Sequence, residues 1–177
     1  MPSDLDGALE DGEACFSPTG KAEIHYQQDL AGIGPELLQG FFVGWPQPPS
    51  GETLLAVLTG ASHRWLARAG SDGPVIGFIS AISDGVLSAY IPLLEVLPQW
   101  QGHGIGRALV RRMLASLEHL YMVDLCCDPE LRPFYEREGF HPAAGMLWRN
   151  YDVLEEVGKP GHLLKSQLPP PPSARPE

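Results

Sequence analysis

Residues Gln101–Gly106 form a glycine-rich loop whose composition is typical of a phosphate-binding site. The three glycines of this loop carry no Cβ, so the backbone can approach a ligand closely. The amphipathic segment after the loop is predicted to be a helix, whose unpaired N–H groups and positive dipole end would point back at the loop. Such a loop can bind a pyrophosphate through its backbone, without a metal ion or a lysine.

The spacing of the glycines excludes two common nucleotide-binding loops. A dinucleotide-binding loop needs Gly-x-Gly-x-x-Gly, whereas these glycines are spaced two and two. Asp124 stands at the distance of the acidic residue that such folds use, but it lies inside the next predicted strand. A P-loop needs Gly-Lys-Ser/Thr, and Arg107 and Ala108 follow the last glycine here. The loop therefore predicts another phosphate-bearing ligand.

The loop lies between a predicted strand and a predicted helix. Apolar residues at four-residue spacing predict a helix from Gly104 to about Leu120. The predicted strands Gly85–Leu97 and Met122–Cys127 flank it and complete a right-handed βαβ unit with a parallel pair. The other predicted strands are Glu23–Gln27, Arg64–Arg68, Val75–Ile82 and Met146–Tyr151, and the other predicted helices are Gly34–Val43, Glu52–Leu58, Leu131–Glu138 and Asp152–Val157.

The upstream strands make the predicted sheet mixed. A tight turn at Gly70–Gly73 joins Arg64–Arg68 to Val75–Ile82, so this pair is antiparallel. The fold class is therefore α/β, with a mixed α+β sheet flanked by helices. A single domain is expected at 21–157, between a flexible acidic arm at 1–20 and a proline-rich tail at 158–177.

Composition excludes several classes of partner. The 177 residues carry a net charge of −10, which argues against nucleic acid, because its binding needs clustered Lys and Arg. No apolar run approaches the roughly 20 residues of a membrane span, and the N-terminus lacks the regions of a signal peptide. Three cysteines, two of them adjacent, do not make a disulfide framework. We therefore expect a cytoplasmic protein without nucleic-acid or membrane partners.

Two segments carry a resemblance to a known family. Val96–Leu109 resembles the acetyl-CoA motif of the GCN5-related N-acetyltransferases (GNATs), which is Gln/Arg-x-x-Gly-x-Gly/Ala after a Val-x-Pro strand end. Pro133–Phe140 resembles the second cofactor motif of the same family, and it follows at the expected distance. With their flanks the two matches cover about residues 75–151.

The resemblance implies a fold and a cofactor site. Two central parallel strands, here 86–97 and 122–127, would splay apart around the pantetheine arm of acetyl-CoA. The pyrophosphate would lie on the N–H groups of Gln101 to Gly106, and the N–H of Val96 would polarise the thioester carbonyl. The cofactor-binding residues would be Val96, Leu97, Gln101, Gly102, His103, Gly104, Ile105, Gly106, Arg107, Asp128, Phe134 and Tyr135.

The amine attacks directly in most members of this family, so neither an enzyme nucleophile nor a metal ion is expected. Cys126 and Cys127 are accordingly interpreted as buried strand residues. Tyr135 occupies the family's position for the acid that protonates the departing thiolate, although it could instead only pack against the cofactor.

Glu95 is the candidate base, because strand alternation places it on one face with Leu93 and Leu97, where a carboxylate is unexpected. Apolar neighbours would raise its pKa. It could instead bind the substrate or be solvated, and His25 and His141 are held in reserve.

The chain departs from the family pattern after its second splayed strand. Asp128 replaces an asparagine that many members have, and it suits a helix N-cap with Pro129 at the first helical position. Pro133 then stands where such a helix would need an N–H, so we expect the helix to restart near Arg132 after a tight turn.

The sequence thus predicts an acetyl-CoA-dependent N-acetyltransferase that acts on the primary amine of a small molecule, peptide or protein. Two alternatives stay open: a non-catalytic acyl-CoA-binding sensor or interaction module, and an acyltransferase for a longer acyl chain. The acceptor has no signature in the sequence, and either a monomer or a homodimer is compatible with it.

Overall fold

The computed structural model of the chain describes residues 23–149. The acidic arm at 1–20, the predicted helix Asp152–Val157 and the tail at 158–177 lie outside the described residues. The predicted domain boundaries therefore stay predictions.

The described residues form a five-stranded mixed sheet. The strands follow one another across the sheet in chain order, and each of the first three is antiparallel to the strand that follows it. The last two are parallel, which confirms the predicted βαβ unit. The strands are β1 Ile24–Gln27, β2 His63–Ala69, β3 Val75–Ser83, β4 Ser88–Val96 and β5 Met122–Leu125.

Three helices accompany the sheet, and each begins near its predicted start. They are α1 Gly51–Gly60, α2 Ile105–Ser116 and α3 Arg132–Glu136. Single 3-10 turns lie at Pro35–Leu37, Pro98–Trp100 and Pro129–Leu131. The start of α1 is fixed by Ser50, whose side-chain oxygen accepts the N–H of Thr53 as an N-cap.

The central strand β3 is covered on both faces, since all but its last two residues are buried. On one face, a Cβ added to Gly77 would lie 3.2 Å from Val96 Cγ2 and 3.3 Å from Ile105 Cγ2, so α2 packs closely there. On the other face, the ring of Phe78 meets the ring of Phe41 edge to face at 5.0 Å. The two faces thus carry different parts of the chain.

The predicted helix at Gly34–Val43 is wrong except for the 3-10 turn at Pro35–Leu37. Gly40 and Phe42 adopt φ values of +81° and +61°, which no α-helix contains. Leu38, Phe41 and Phe42 are nevertheless buried, so this apolar pattern marks core packing by an irregular segment.

The helix after the glycine loop is shorter than predicted. α2 ends at Ser116 instead of Leu120, and tight turns continue the chain through hydrogen bonds from Leu117 to Leu114 and from Leu120 to Leu117. Leu117 and Leu120 are buried in these turns, so their spacing resembles that of a longer helix.

Two strand predictions extend too far at their ends. β4 begins at Ser88 instead of Gly85, because one carboxylate oxygen of Asp84 accepts the N–H groups of Val86, Leu87 and Ser88 and so forms a turn.

β5 ends at Leu125, and Cys126 and Cys127 are exposed after it, so their interpretation as buried strand residues is wrong. The predicted strand Met146–Tyr151 is also wrong over residues 146–149, which belong to no strand, whereas 150 and 151 lie outside the described residues.

The irregular start of α3 is confirmed. Pro129 begins a 3-10 turn, and the helix proper restarts at Arg132. Asp128 stands at the N-cap position of the turn, but its side chain makes no capping hydrogen bond. Gly139 ends the segment with φ +94°, as a glycine after a helix commonly does.

A substitution of Gly104 tests whether the start of α2 requires a left-handed backbone. It is the N-cap residue of α2 in the left-handed region at φ +79°, so Gly104→Ala should lower the unfolding free energy by about 1–2 kcal/mol. Gly60, in α1, has no heavy atom near its hypothetical Cβ and no left-handed φ. Gly60→Ala should therefore leave stability unchanged or raise it by up to about 1 kcal/mol. Urea unfolding of both variants checks this contrast, and equal effects would contradict it.

Candidate active site

The site begins at an irregularity in β4. Ser80 pairs with Leu93 and Ile82 pairs with Tyr90, so two steps along β3 face three steps along β4. This is a β-bulge at Ile91 and Pro92, which puts one extra residue into β4. The extra residue shifts the alternation of the backbone by one. Each later residue of β4 therefore directs its N–H and C=O to the edge opposite the one it would face in a regular strand.

β4 and β5 part at the same place. Their parallel pairing runs from Ser88 with Met122 to Ile91 with Leu125 and ends there. The next residue, Pro92, has no N–H to donate to a neighbouring strand. From Leu93 to Val96, β4 pairs with β3 only, among the residues that the structure describes. The predicted splayed pair is therefore present, with its opening along the last residues of β4.

The backbone of Val96 faces this opening. Leu97 donates its N–H to Ile76 O on β3 at 2.9 Å, so the N–H and C=O of Val96 point to the opposite edge. The side-chain amide of Gln101 donates to Val96 O at 3.0 Å from that edge. Gln101 thus joins the glycine loop to the open edge of β4.

The glycine loop adopts a conformation that its sequence specifies. Gly102 and Gly104 have φ of +77° and +79°, a region that costs other residues free energy. Gly106 lies in the first turn of α2, and its hypothetical Cβ would face Phe134 and Val96 at 3.7 and 3.8 Å. The free N–H groups at the start of a 12-residue helix therefore border the opening.

A cavity of about 800 Å³ occupies the opening and receives residues from both faces of the sheet. It brings together eleven of the twelve residues predicted to bind the cofactor, and Glu95 as well. His103 is the exception, because its ring turns to the carbonyl of Gln101 at 2.8 Å. His25 and His141, the reserves, do not line the cavity. The lining residues that the sequence did not predict are Gly40, Phe41, Val43, Leu94, Pro98, Trp100, Leu131 and Arg137.

Glu95 is half-buried on the face opposite α2. Its strand partner is the fully buried Phe78, and its Oε2 accepts the N–H of Phe42 at 2.7 Å. Desolvation by burial raises the pKa of Glu95, and the hydrogen bond from Phe42 offsets part of that rise. The predicted direction of the shift is confirmed.

Tyr135 enters the cavity from α3. Its ring packs edge to face between Phe134 and Phe140, with centroids 4.9 and 5.7 Å away. Burial, with a smaller contribution from the Cys127 thiol, raises the pKa of Tyr135 to about 12. The phenol therefore keeps its proton at neutral pH and can act as a donor.

Arg107 lines the cavity and also contacts an acidic side chain that the sequence analysis missed. Its Nε lies 2.8 Å from Oε1 of Glu138, whose side chain is only 3% exposed. Arg111 donates from Nε to the other oxygen at 2.7 Å. The available signal was the run of charged residues from Glu136 to Glu138 between Tyr135 and Phe140 of the second motif.

The cavity fits the acetyl-CoA that the sequence motifs imply. It offers backbone donors at a helix start, an unpaired strand edge and the arginines Arg107 and Arg137. Within residues 23–149, no cluster of His, Cys, Asp and Glu has the arrangement of a metal site. In the same part of the chain, no helix is long and apolar enough to cross a membrane.

Comparison with known proteins decides the family. The sequence model of the "Acetyltransferase (GNAT) family" matches residues 30–140, which is more than half of the chain. The chain belongs to the GNAT family. The mixed sheet of this GNAT protein is the fold of its structural neighbours. The family uses acetyl-CoA as co-substrate.

Its relatives include a solved structure and longer plant proteins. A crystal structure of a putative acetyltransferase from Deinococcus radiodurans R1 is 50% identical, with a TM-score of 0.73, over 78% of this chain and 95% of that one.

The GCN5-related N-acetyltransferase 2, chloroplastic, of Arabidopsis thaliana is 29% identical over 79% of this chain and 61% of that protein. The histone acetyltransferase TAP1 of Glycine max is 27% identical over 81% and 63%. This GNAT chain thus spans about three-fifths of the length of the curated relatives that it matches.

The raised pKa of Glu95 predicts a pH-dependent stability. The folded state holds the Glu95 proton more tightly than the unfolded state, so this group's contribution is complete below its ordinary pKa of 4.5. The contribution is lost as pH rises through the folded pKa. Glu95→Gln cannot ionise and should gain stability relative to the wild type as the pH rises above 4.5 and through the folded-state pKa of Glu95. Urea unfolding across this range measures the difference, with the exposed Glu136→Gln as control. Parallel curves for the wild type and Glu95→Gln would contradict the burial of this charge.

Proposed function

We propose that this protein transfers the acetyl group of acetyl-CoA to a primary amine by direct attack of the amine. One observation carries the proposal: the opening between β4 and β5 joins a phosphate-binding loop on one face of the sheet to a carboxylate on the other. The bound acetyl-CoA supplies the acetyl group, and the described residues supply binding and proton transfer.

The donor side of the opening is built from backbone. The N–H groups of Gly102 to Gly106 bind the pyrophosphate, and the left-handed glycines direct those groups at it. The N–H of Gln101 is not among them, because it donates to the carbonyl of Pro98 at 3.2 Å. The N–H of Val96 points into the opening and stabilises negative charge on the thioester oxygen. Because these donors are fixed by β3 and α2, they need little rearrangement.

Glu95 receives the proton of the amine, directly or through a water molecule. Oε2 is engaged by the N–H of Phe42, so Oε1 is the oxygen left for this role. Burial makes the carboxylate more basic than an exposed glutamate, which brings its pKa closer to neutral pH. It also attracts the cationic form of the substrate.

Tyr135 donates its proton to the departing thiolate. It lines the same cavity as Glu95 and reaches it from α3, on the side of the glycine loop. With its raised pKa, the phenol is protonated in the resting enzyme. A proton acceptor and a proton donor in the same cavity are what direct attack requires.

The acceptor is the primary amine of a small molecule, a peptide or a protein. The soybean relative is named a histone acetyltransferase, so lysine peptides are one group of candidate acceptors to test. The other groups are polyamines, amino acids and peptide N-termini. A sensor without turnover and a transferase of longer acyl chains remain the alternatives. The cytoplasmic location and the monomeric or homodimeric state stay predictions.

Thiol release in the presence of this amine panel tests the proposal. Acetyl-CoA should raise the melting temperature, by the equivalent of about 2.7 kcal/mol at 100 times its Kd, whereas NAD and ATP should not. At least one amine should then accelerate thiol release from acetyl-CoA. Stabilisation without any amine-dependent release would favour the sensor. Faster release from longer acyl-CoA donors would favour the second alternative.

Tyr135→Phe separates the acid from a packing residue. We expect kcat to fall about 100-fold, because a general acid contributes at least that factor. The KM for acetyl-CoA should change little, since the ring that packs with Phe134 and Phe140 is retained. Tyr121→Phe, at a position where the side chain is 85% exposed, is the matched control. Unchanged turnover in Tyr135→Phe would leave Tyr135 with a packing role.

A further inference from the structure

A buried carboxylate lies between two arginines beside the proposed active site. The Glu138 side chain is 3% exposed, whereas those of Arg107 and Arg111 are 45% and 64% exposed. Removing a carboxylate from water is costly unless charges and hydrogen bonds replace the water. Its two oxygens contact different arginines, so each guanidinium neutralises one side of the same buried charge.

This arrangement joins two elements of the site. Arg107 and Arg111 stand four residues apart in the first two turns of α2, directly after the glycine loop. Glu138 follows α3, and its N–H donates to the carbonyl of Tyr135 at 2.9 Å. Glu138 is therefore connected to α2 through its side-chain oxygens and to the Tyr135 carbonyl through its backbone N–H.

We propose that Glu138 is a positioning residue that fixes Tyr135 relative to the glycine loop through its contacts with Arg107 and Arg111. The proposal rests on the proposed function, since the step it serves is proton donation by Tyr135. Glu138 itself does not line the cavity.

The shortness of α3 and its exposed connections make a contact with α2 useful for fixing its position. A helix of five residues is too short to be stable on its own. The chain enters it through exposed residues from Cys126 to Leu131 and leaves it at Gly139, whose φ is +94°. Tyr135 is held by its burial in the core beside two aromatic rings and by hydrogen bonds from the N–H groups of Glu138 and Phe140 to its carbonyl. The ion pairs of Glu138 add a connection from this segment to α2. The packing of the aromatic rings resists their separation, whereas the ion pairs of Glu138 also restrict the orientation of the segment relative to α2.

The two arginines are not equivalent. Arg111 makes an aligned hydrogen bond to Oε2, whereas Oε1 has the close contact with Arg107 but no aligned hydrogen bond. Arg107 lines the cavity and Arg111 does not. Arg107 thus has donors free for an anionic group of the cofactor while it stays near Glu138. Arg107 thus connects cofactor binding to the ion pairs that Glu138 makes with α2.

Glu138→Gln tests the positioning role, with Glu136→Gln as matched control. Glu136 lies on the same segment but pairs with Arg132 on its exposed side, with a side chain 44% exposed. For Glu138→Gln we expect faster amide hydrogen exchange in residues 134–140. We also expect kcat to fall about 10- to 100-fold, because a displacement near 1 Å can cost that much. KM for the amine should be unchanged, and Glu136→Gln should match the wild type in both measurements.

Arg107→Gln and Arg111→Gln separate the ion pairs with Glu138 from the cofactor contact. Each variant removes one contact to Glu138, so both should lower kcat and increase exchange in 134–140. Arg107→Gln alone should also raise the Kd for acetyl-CoA, because only Arg107 lines the cavity. Arg111→Gln is the variant to use if Glu138→Gln fails to fold, because Arg111 is the more exposed of the two arginines.

Several results would overturn the proposal. They are wild-type exchange in both Glu138→Gln and Arg111→Gln, unchanged kcat despite faster exchange, or an equal loss in Glu136→Gln. Failure of the proposed function looks different. If no amine gives thiol release with the wild type, or Tyr135→Phe is fully active, the acid role of Tyr135 fails. Hydrogen exchange would still report whether Glu138 holds the segment.

Discussion

The parting of β4 from β5 is the constraint on which the rest of the site depends. An interior strand normally uses both edges of its backbone in hydrogen bonds, and leaving one edge unpaired in a buried place costs free energy. Here the bulge at Ile91 and Pro92 ends the parallel pairing, and proline removes one of the donors that would be left without a partner. What remains at the opening is a strand edge that can bind a ligand as another strand would.

The opening also explains why the site draws on both faces of the sheet. α2 packs against the face that carries Val96 and Gly77, and it contributes the glycine loop. The irregular segment with Phe41 and Phe42 packs against the opposite face, and its backbone donates to Glu95. In an unbroken sheet these groups would be separated by a hydrogen-bonded backbone. The gap lets the phosphate-binding loop and the carboxylate line the same cavity.

The sequence predicted the parts of this site that depend on local rules. The glycine spacing, the amphipathic face of α2 and the alternation that isolates Glu95 act over a few neighbouring residues. The irregular start of α3 follows equally from the positions of Pro129 and Pro133. The segment from Gly34 to Val43 failed because its apolar spacing is satisfied by a buried loop as well as by a helix. Among residues 23–149, Phe42 is the only non-glycine residue with a left-handed φ, and tertiary packing with its hydrogen bond to Glu95 accompanies that conformation. Neither the bulge nor the ion pairs of Glu138 could be predicted from short-range spacing, since both join residues distant in the chain.

Glu95 and Glu138 show how one residue type acquires two roles from its surroundings. The Glu95 carboxylate is half-buried and the Glu138 carboxylate almost fully buried, but the described partner of Glu95 is a neutral backbone N–H, whereas Glu138 has two guanidinium groups. A buried carboxylate without a compensating cation binds a proton more readily, which suits a group that must accept one. A carboxylate paired with two cations keeps its neighbours in place. Proton transfer and positioning are thus assigned to different acidic residues. A substrate ammonium that enters the cavity would supply Glu95 with the positive charge that the arginines already give to Glu138.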